Sequence, residues 1–171
     1  MGELDEILEI VDDNNNVIGK ATRGECYEKG LLHRAVNIFI YNSKGQIFLH
    51  KRSDKKLKYP GYWDLSCSEH VKPGESFEVA AKRGLQEELN VEIELEEIIP
   101  IHRMDSSDKE GKYHDNELII TYKGVYDGKV KLDPEEVAAG KFFDVLEVNK
   151  LIKNGKLQFT PWFLKEWEFL K

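Results

Sequence analysis

The chain has 171 residues, enough for one domain with a sizeable core, and its apolar fraction of 40% argues against disorder. Its formal net charge is −7, from 25 basic and 32 acidic residues, which speaks against a nucleic-acid polymer as the main partner. Two cysteines, Cys26 and Cys67, do not make a disulfide framework, and the acidic N-terminus "MGELDEILEI" lacks the order of a signal peptide. No apolar run approaches the roughly 20 residues that span a bilayer. A cytoplasmic protein without membrane attachment is the expectation.

In chain order, "EILEIV" and "VIG" flank the turn cluster "DDNNN" and predict a hairpin. Thr22 and Glu25 have capping-box spacing for a short helix that Gly30 would end. "AVNIFIY" and "QIFLHKR" predict strands joined by "NSKG". "KLKYPGYWDLS" mixes a loop with a short strand. "ESFEVAAKRGLQEEL" predicts the main helix, buried along Phe77, Ala80, Ala81, Leu85 and Leu89, with Asn90 suited to the left-handed position after it. "VEIELEEIIPIHRM" and "HDNELIITYKGVY" predict strands around the polar loop "DSSDKEGK". "DPEEVAA" reads as a helix start, with Asp133 as N-cap and Pro134 at the first helical position, and "KFFDV" as a strand. "LEVNKLIKNG" and "TPWFLKEWEFLK" predict two closing helices, the first stopped by Gly155 and the second capped by Thr160. Strands with interspersed helices make a mixed α/β domain, and no repeat or linker divides it.

The main helix carries the chemistry. Arg83 and Glu87 are four apart and share a face, and Glu88 completes a carboxylate pair. Hard divalent cations take one or two carboxylates together with substrate phosphates, so a carboxylate helix beside a Pro-Gly loop is a metal platform. A solvated acidic face is the bland alternative. Gly84, in the middle of this helix, costs about 1 kcal/mol relative to alanine.

Residues 69–91 resemble the Nudix box, a glycine, five residues, Glu, seven residues, then Arg-Glu-aliphatic-any-Glu-Glu-any-Gly-aliphatic. In register, Glu75, Arg83, Leu85, Glu87, Glu88 and Val91 match, whereas Glu69, Gly84 and Asn90 depart. The resemblance implies a single Nudix domain over 1–171, an α/β/α sandwich with a mixed sheet. It implies Mg²⁺ or Mn²⁺ on Glu87 and Glu88, Arg83 orienting Glu87, and Glu75 tying loop to helix. Position 84 is where the family's helix usually presents a further metal-ligating Glu. Glu69 is expected to stand in for it, with glycine clearing space for a longer side chain from the loop.

"LLHRAVNIFIYNSKGQIFLHKRS", "YPGYWDLS", "HVKPGES", "DNE" and "FTPW" are similar to the Nudix branch that includes type I isopentenyl diphosphate isomerase. By that resemblance its metal histidines fall on Cys26, His33 and His70, and its metal glutamates on Asp115 and Glu117. Its catalytic cysteine falls on Ser68, with Cys67 one residue away and so on the opposite face of an extended segment. Glu117 is a second candidate ligand or general base. Arg34, Lys51 and Arg52 are candidates to grip a diphosphate, or else charged strand residues facing solvent.

The function expected is hydrolysis of a phosphoanhydride in a small diphosphate substrate. An isomerase-like enzyme and a weakened diphosphate-binding module are the alternatives. The partner is then a small molecule, and a homodimer is compatible with it. Specificity is expected in the loops 53–62 and 104–113. The aromatics of "TPWFLKEWEF" are expected in the core.

Overall fold

The computed structural model describes residues 2–108 and 110–170. Met1, Lys109 and Lys171 lie outside the described residues, the second of them inside the expected polar loop. A hairpin of β1 (Ile7–Val11) and β2 (Val17–Thr22) forms as the sequence predicts, closed by Asp12, whose carboxylate accepts from the backbone N–H of Asn14 and of Asn16. Helix α1 (Arg23–Lys29) opens with the Thr22/Glu25 capping box and ends at Gly30, in the left-handed region at φ 65°.

The main sheet contains β3 (His33–Tyr41), β4 (Ile47–Arg52), β5 (Trp63–Asp64), β6 (Cys67–His70), β7 (Glu96–Ser107), β8 (His114–Val125) and β9 (Val137–Phe143). Its path runs β5-β4-β3-β8-β7, with β6 on β3 and β9 on β4. β3 and β8 are parallel and the other pairs antiparallel, so the sheet is mixed. The period of two along β3 distributes the core. Ala35 and Phe39 face one layer, with Phe163 and Trp167 of α4 (Pro161–Leu170) and Val148 of α3 (Val145–Asn154). Val36, Ile38 and Ile40 face the other, with Ala80, Ala81, Leu85 and Leu89 of α2 (Phe77–Leu89). This is the expected α/β/α sandwich, and the expected buried face of α2 is the one observed. Asn90 ends α2 in the left-handed region at φ 53°.

Two expectations are corrected. No helix forms at Asp133. Its carboxylate accepts from the Glu135 N–H and its carbonyl from the N–H of Glu136 and Val137, which makes a single turn. The chain then enters β9, whose Val137–Phe143 pair along β4 from Arg52 to Ile47, and sheet pairing overrides the local helix signal. The strand expected from Val91 begins only at Glu96, and it continues through Ser107 into the expected polar loop. Among the described residues no helix is long and apolar enough to cross a membrane.

Candidate active site

A cavity of about 820 Å³ opens where β3 parts from β4 and takes up β6. The pairings of β3 decide what faces it. Ala35↔His70 and Asn37↔Ser68 put His70 and Ser68 on the sheet face of His33 and Asn37. Val36↔Glu69 and Ile38↔Cys67 turn Glu69 and Cys67 toward α2. On the other side of β3, the parallel pairing His33↔Glu117 brings Asp115 and Glu117 alongside.

The first group is His33, His70, Asp115 and Glu117, whose ligand atoms all lie within 4.8 Å of one another; the last three line the cavity and His33 is fully buried. His33 Nδ1 lies 2.8 Å from the Leu31 carbonyl, which fixes the N–H there and leaves Nε2 facing the carboxylates. Nε2 is 3.1 Å from Asp115 Oδ1 and 3.7 Å from Glu117 Oε1, and His70 Nε2 is 3.2 Å from the same Glu117 oxygen. Buried His33 Nε2 and Asp115 Oδ1 have no well-formed hydrogen bond. A lone pair directed at two carboxylates is stable only with a positive charge between them. Burial opposes such a charge on His33, yet Asp115, Cys26 and Glu117 raise its pKa to about 10. Asp115 is itself held low: burial works against its charge, and Lys58 and His33 outweigh burial. Two imidazoles with two carboxylates at this spacing fit a divalent ion of the Zn, Mn or Fe type. Cys26 is buried beside His33 but is not among the clustered ligand atoms.

The second group is Glu69, Glu87 and Glu88, and Arg83 meets the first two of them. This guanidinium donates to Glu75 at 2.7 and 3.0 Å, to the His70 carbonyl at 2.8 Å and to Glu87 at 3.4 Å. It also lies 3.4 Å from Glu69 Oε2. One cation thus ties the Pro-Gly loop, β6 and α2 together. Glu88 is 8% exposed. Burial pushes its carboxyl well above the usual range, and Glu69 and Glu136 push the same way. Glu69 is also raised, by burial first, with Arg83 opposing. Glu69 and Glu88 crowded in this way fit a hard divalent cation, which would relieve the repulsion, and half-exposed Glu87 lines the same cavity.

The cationic wall differs from the expected one. Arg52 lines the cavity, held by Asp64 at 3.2 Å and lying 5.2 Å from the Trp162 ring centre. Arg34 is instead paired with Glu9 and lies over Phe77, and neither it nor Lys51 lines the cavity. Their places are taken by Arg23, Lys56, Lys58 and Lys72. Lys58 is buried, pairs with Asp115, and sits 5.1 Å from the Tyr27 ring centre and 4.9 Å from that of Trp162. Lys56 is 2.6 Å from Glu136 and 3.4 Å from Glu3, and Glu3 also meets Arg23 at 2.8 Å. The sequence signal for the lysines is the basic loop "SDKKLKYPG", whose shape could not be read. Trp162 belongs to both core and cavity, because Asp64 accepts from its indole N–H at 2.9 Å and from the Thr160 hydroxyl at 3.0 Å.

The NUDIX domain family matches residues 31–163, and the chain belongs to the Nudix family, in the branch similar to type I isopentenyl-diphosphate isomerase. An isopentenyl-diphosphate Delta-isomerase of Serratia proteamaculans is 34% identical over 161 residues, 94% of this chain and 89% of the relative. The isopentenyl-diphosphate delta-isomerase 2 of Homo sapiens is 33% identical over 195 residues, 96% of this chain and 85% of that protein. Among solved structures, a Deinococcus radiodurans protein superposes with a TM-score of 0.71 at 24% identity, covering 91% of this chain and 93% of its own. The last comparison supports the fold.

Proposed function

We propose that the protein is a metal-dependent Nudix hydrolase that cleaves a phosphoanhydride bond in a small diphosphate-containing substrate, a nucleoside diphosphate derivative among them. The observation that carries this reading over isomerisation is at β6. The cavity wall holds Ser68, whose hydroxyl donates to Asn37 Oδ1 at 2.9 Å. Cys67 is 0% exposed behind it, against α2, and burial pushes its thiol well above the ordinary range. A serine hydroxyl is too weak an acid to serve as the thiol does, and Cys67 points to the other face of β6, where its thiol meets Glu88 and not His70 or Glu117.

In this reading Glu87 and Glu88 hold Mg²⁺ or Mn²⁺, which when bound neutralises charge on the diphosphate and acidifies the attacking water. Arg83 orients Glu87. Arg52, Lys56, Lys58 and Arg23, which line the same cavity, bind and orient the phosphate oxygens. Glu117 accepts a proton as general base or serves in the His33, His70 and Asp115 group. The whole chain acts as one domain, in the cytoplasm, on a small molecule.

The second reading is isomerase-like proton transfer at a C5 diphosphate. It is favoured by the assembly of His33, His70, Asp115 and Glu117 and by the similarity to isopentenyl-diphosphate isomerases. A panel of nucleoside and prenyl diphosphates with Mn²⁺, run with Glu88→Gln alongside, separates the two. Phosphate release lost in Glu88→Gln supports hydrolysis. Solvent deuterium entering isopentenyl diphosphate without phosphate release would replace the hydrolase reading with the isomerase one.

A further inference from the structure

Gly84 leaves no gap in α2. An ideal Cβ built there would lie 3.0 Å from Glu69 Cβ and 3.3 Å from Glu69 Cγ, with Cys67 Sγ also at 3.3 Å. The Val36↔Glu69 pairing explains the approach, because it aims Glu69 from β6 at the middle of α2. The stem of Glu69 therefore fills the volume in which a side chain at position 84 would begin. Its carboxylate is held at both oxygens. Oε1 accepts from the His70 backbone N–H at 3.0 Å, and Oε2 lies 3.4 Å from the same Arg83 Nη1 that is 3.4 Å from Glu87. Glu69, Glu87 and Glu88 all line the cavity.

We propose that β6 delivers, through Glu69, the carboxylate ligand that α2 lacks at Gly84, and that the two positions are mutually exclusive. One volume admits one carboxylate stem, arriving from the strand or from the helix. The inference rests on the reading of Glu87 and Glu88 as a cation-holding pair. It goes further than an extra acidic residue near the site, since it requires a compensating exchange to work. Glu69→Gly opens the volume and removes the ligand; Gly84→Glu in that background refills the one and restores the other.

The test is a Mn²⁺ titration read by electron paramagnetic resonance of the free ion, with thermal melts in parallel. It uses the wild type, Glu69→Gln, Gly84→Glu, the double variant Glu69→Gly/Gly84→Glu, and Glu88→Gln. Ions held by His33, His70, Asp115 and Glu117 appear as a class of sites that these substitutions leave unchanged. In the other class, Glu69→Gln is expected to weaken binding by about tenfold or more. Gly84→Glu alone is expected to lower the melting temperature, because Glu69 Cβ cannot withdraw without its strand. The double variant is expected to recover both the melting temperature and Mn²⁺ binding. The inference is overturned if Glu69→Gln binds as the wild type does while Glu88→Gln does not. It is equally overturned if the double variant melts like the wild type yet fails to bind. Unchanged binding in Glu88→Gln would remove the underlying pair, and this inference with it.

Discussion

Replacing Gly84 with alanine sets two simple expectations against each other. Helix propensity alone favours the substitution by about 1 kcal/mol. The packing reverses the sign. The new methyl would meet Glu69 Cβ at 3.0 Å, and that atom hangs directly from the β6 backbone, which is paired with β3 from Ala35 to Ile38. The second contact, Cys67 Sγ at 3.3 Å, belongs to a fully buried residue. Neither is the free end of a flexible side chain. Overpacking of this kind costs about 1–3 kcal/mol. The net expectation is a loss of about 0–2 kcal/mol, or a few degrees in melting temperature for a chain of this length. Urea denaturation in EDTA of wild type, Gly84→Ala, Glu69→Gly and the double variant would measure it as a cycle. In the Glu69→Gly background the obstructing Cβ is gone, and Gly84→Ala should become neutral or stabilising. A stabilisation near the full propensity value in the wild-type background would refute the packing argument, as would equal effects in both backgrounds.

Glu88→Gln should raise thermal stability in EDTA at pH 8 and lose that advantage as pH falls to 4.5. The carboxyl's native pKa lies above its ordinary 4.5, so the native state binds the extra proton and stability falls as pH rises through the native value. A melting temperature that does not respond to pH in this way would contradict the burial argument. The same substitution should cut Mn²⁺-dependent phosphate release by about 10–100-fold, measured at saturating metal. Asp64→Ala removes the acceptor shared by Thr160, Trp162 and the Leu65 N–H and leaves Arg52 without its buried counter-ion, at an expected cost of about 3–5 kcal/mol by urea denaturation. Lys58→Met should raise KM for a diphosphate substrate by about tenfold with a smaller change in kcat, because it removes a positioned cation that the substrate would use in ground and transition states alike.

Local signals carried much of the architecture. The apolar run "AVNIFIY" marked β3, which is buried on both faces, and the apolar spacing of α2 gave its buried side. Thr22 with Glu25, Gly30 and Asn90 marked helix ends that the structure retains. Asp133-Pro134 misled because a helix-start signal costs nothing locally when the chain turns once and leaves; the pairing of β9 with β4, about 90 residues apart in sequence, decides the outcome. Motif register pointed to residues on stiff elements, His33, His70, Asp115 and Glu117, which cluster, and Glu87 and Glu88, which line the cavity. It could not find Arg23, Lys56 and Lys58. Arg23 reaches the cavity from the start of α1 and the lysines from the loop after β4, so their convergence depends on loop path and on long side chains.

The one-residue offset between Cys67 and Ser68 was legible for a plain reason: side chains on a strand alternate, so neighbours cannot share a face. The pairing of β6 with β3 turns this into an experiment on the choice between hydrolysis and isomerisation. Ser68→Cys places a thiol on the cavity wall, next to Asn37, without disturbing the α2 face. The native wild type should be inert toward a bulky aromatic disulfide on the minutes timescale, because Cys26 and Cys67 are both buried, and Ser68→Cys should react quickly at a single site. If the remaining residues form an isomerase lacking only its thiol, the variant should also gain deuterium uptake into isopentenyl diphosphate. If they form a hydrolase, it should keep phosphate release and gain no uptake. Rapid modification of Cys67 in the wild type would show that the two faces of β6 have been assigned the wrong way round, and the argument that favours hydrolysis would fail with them.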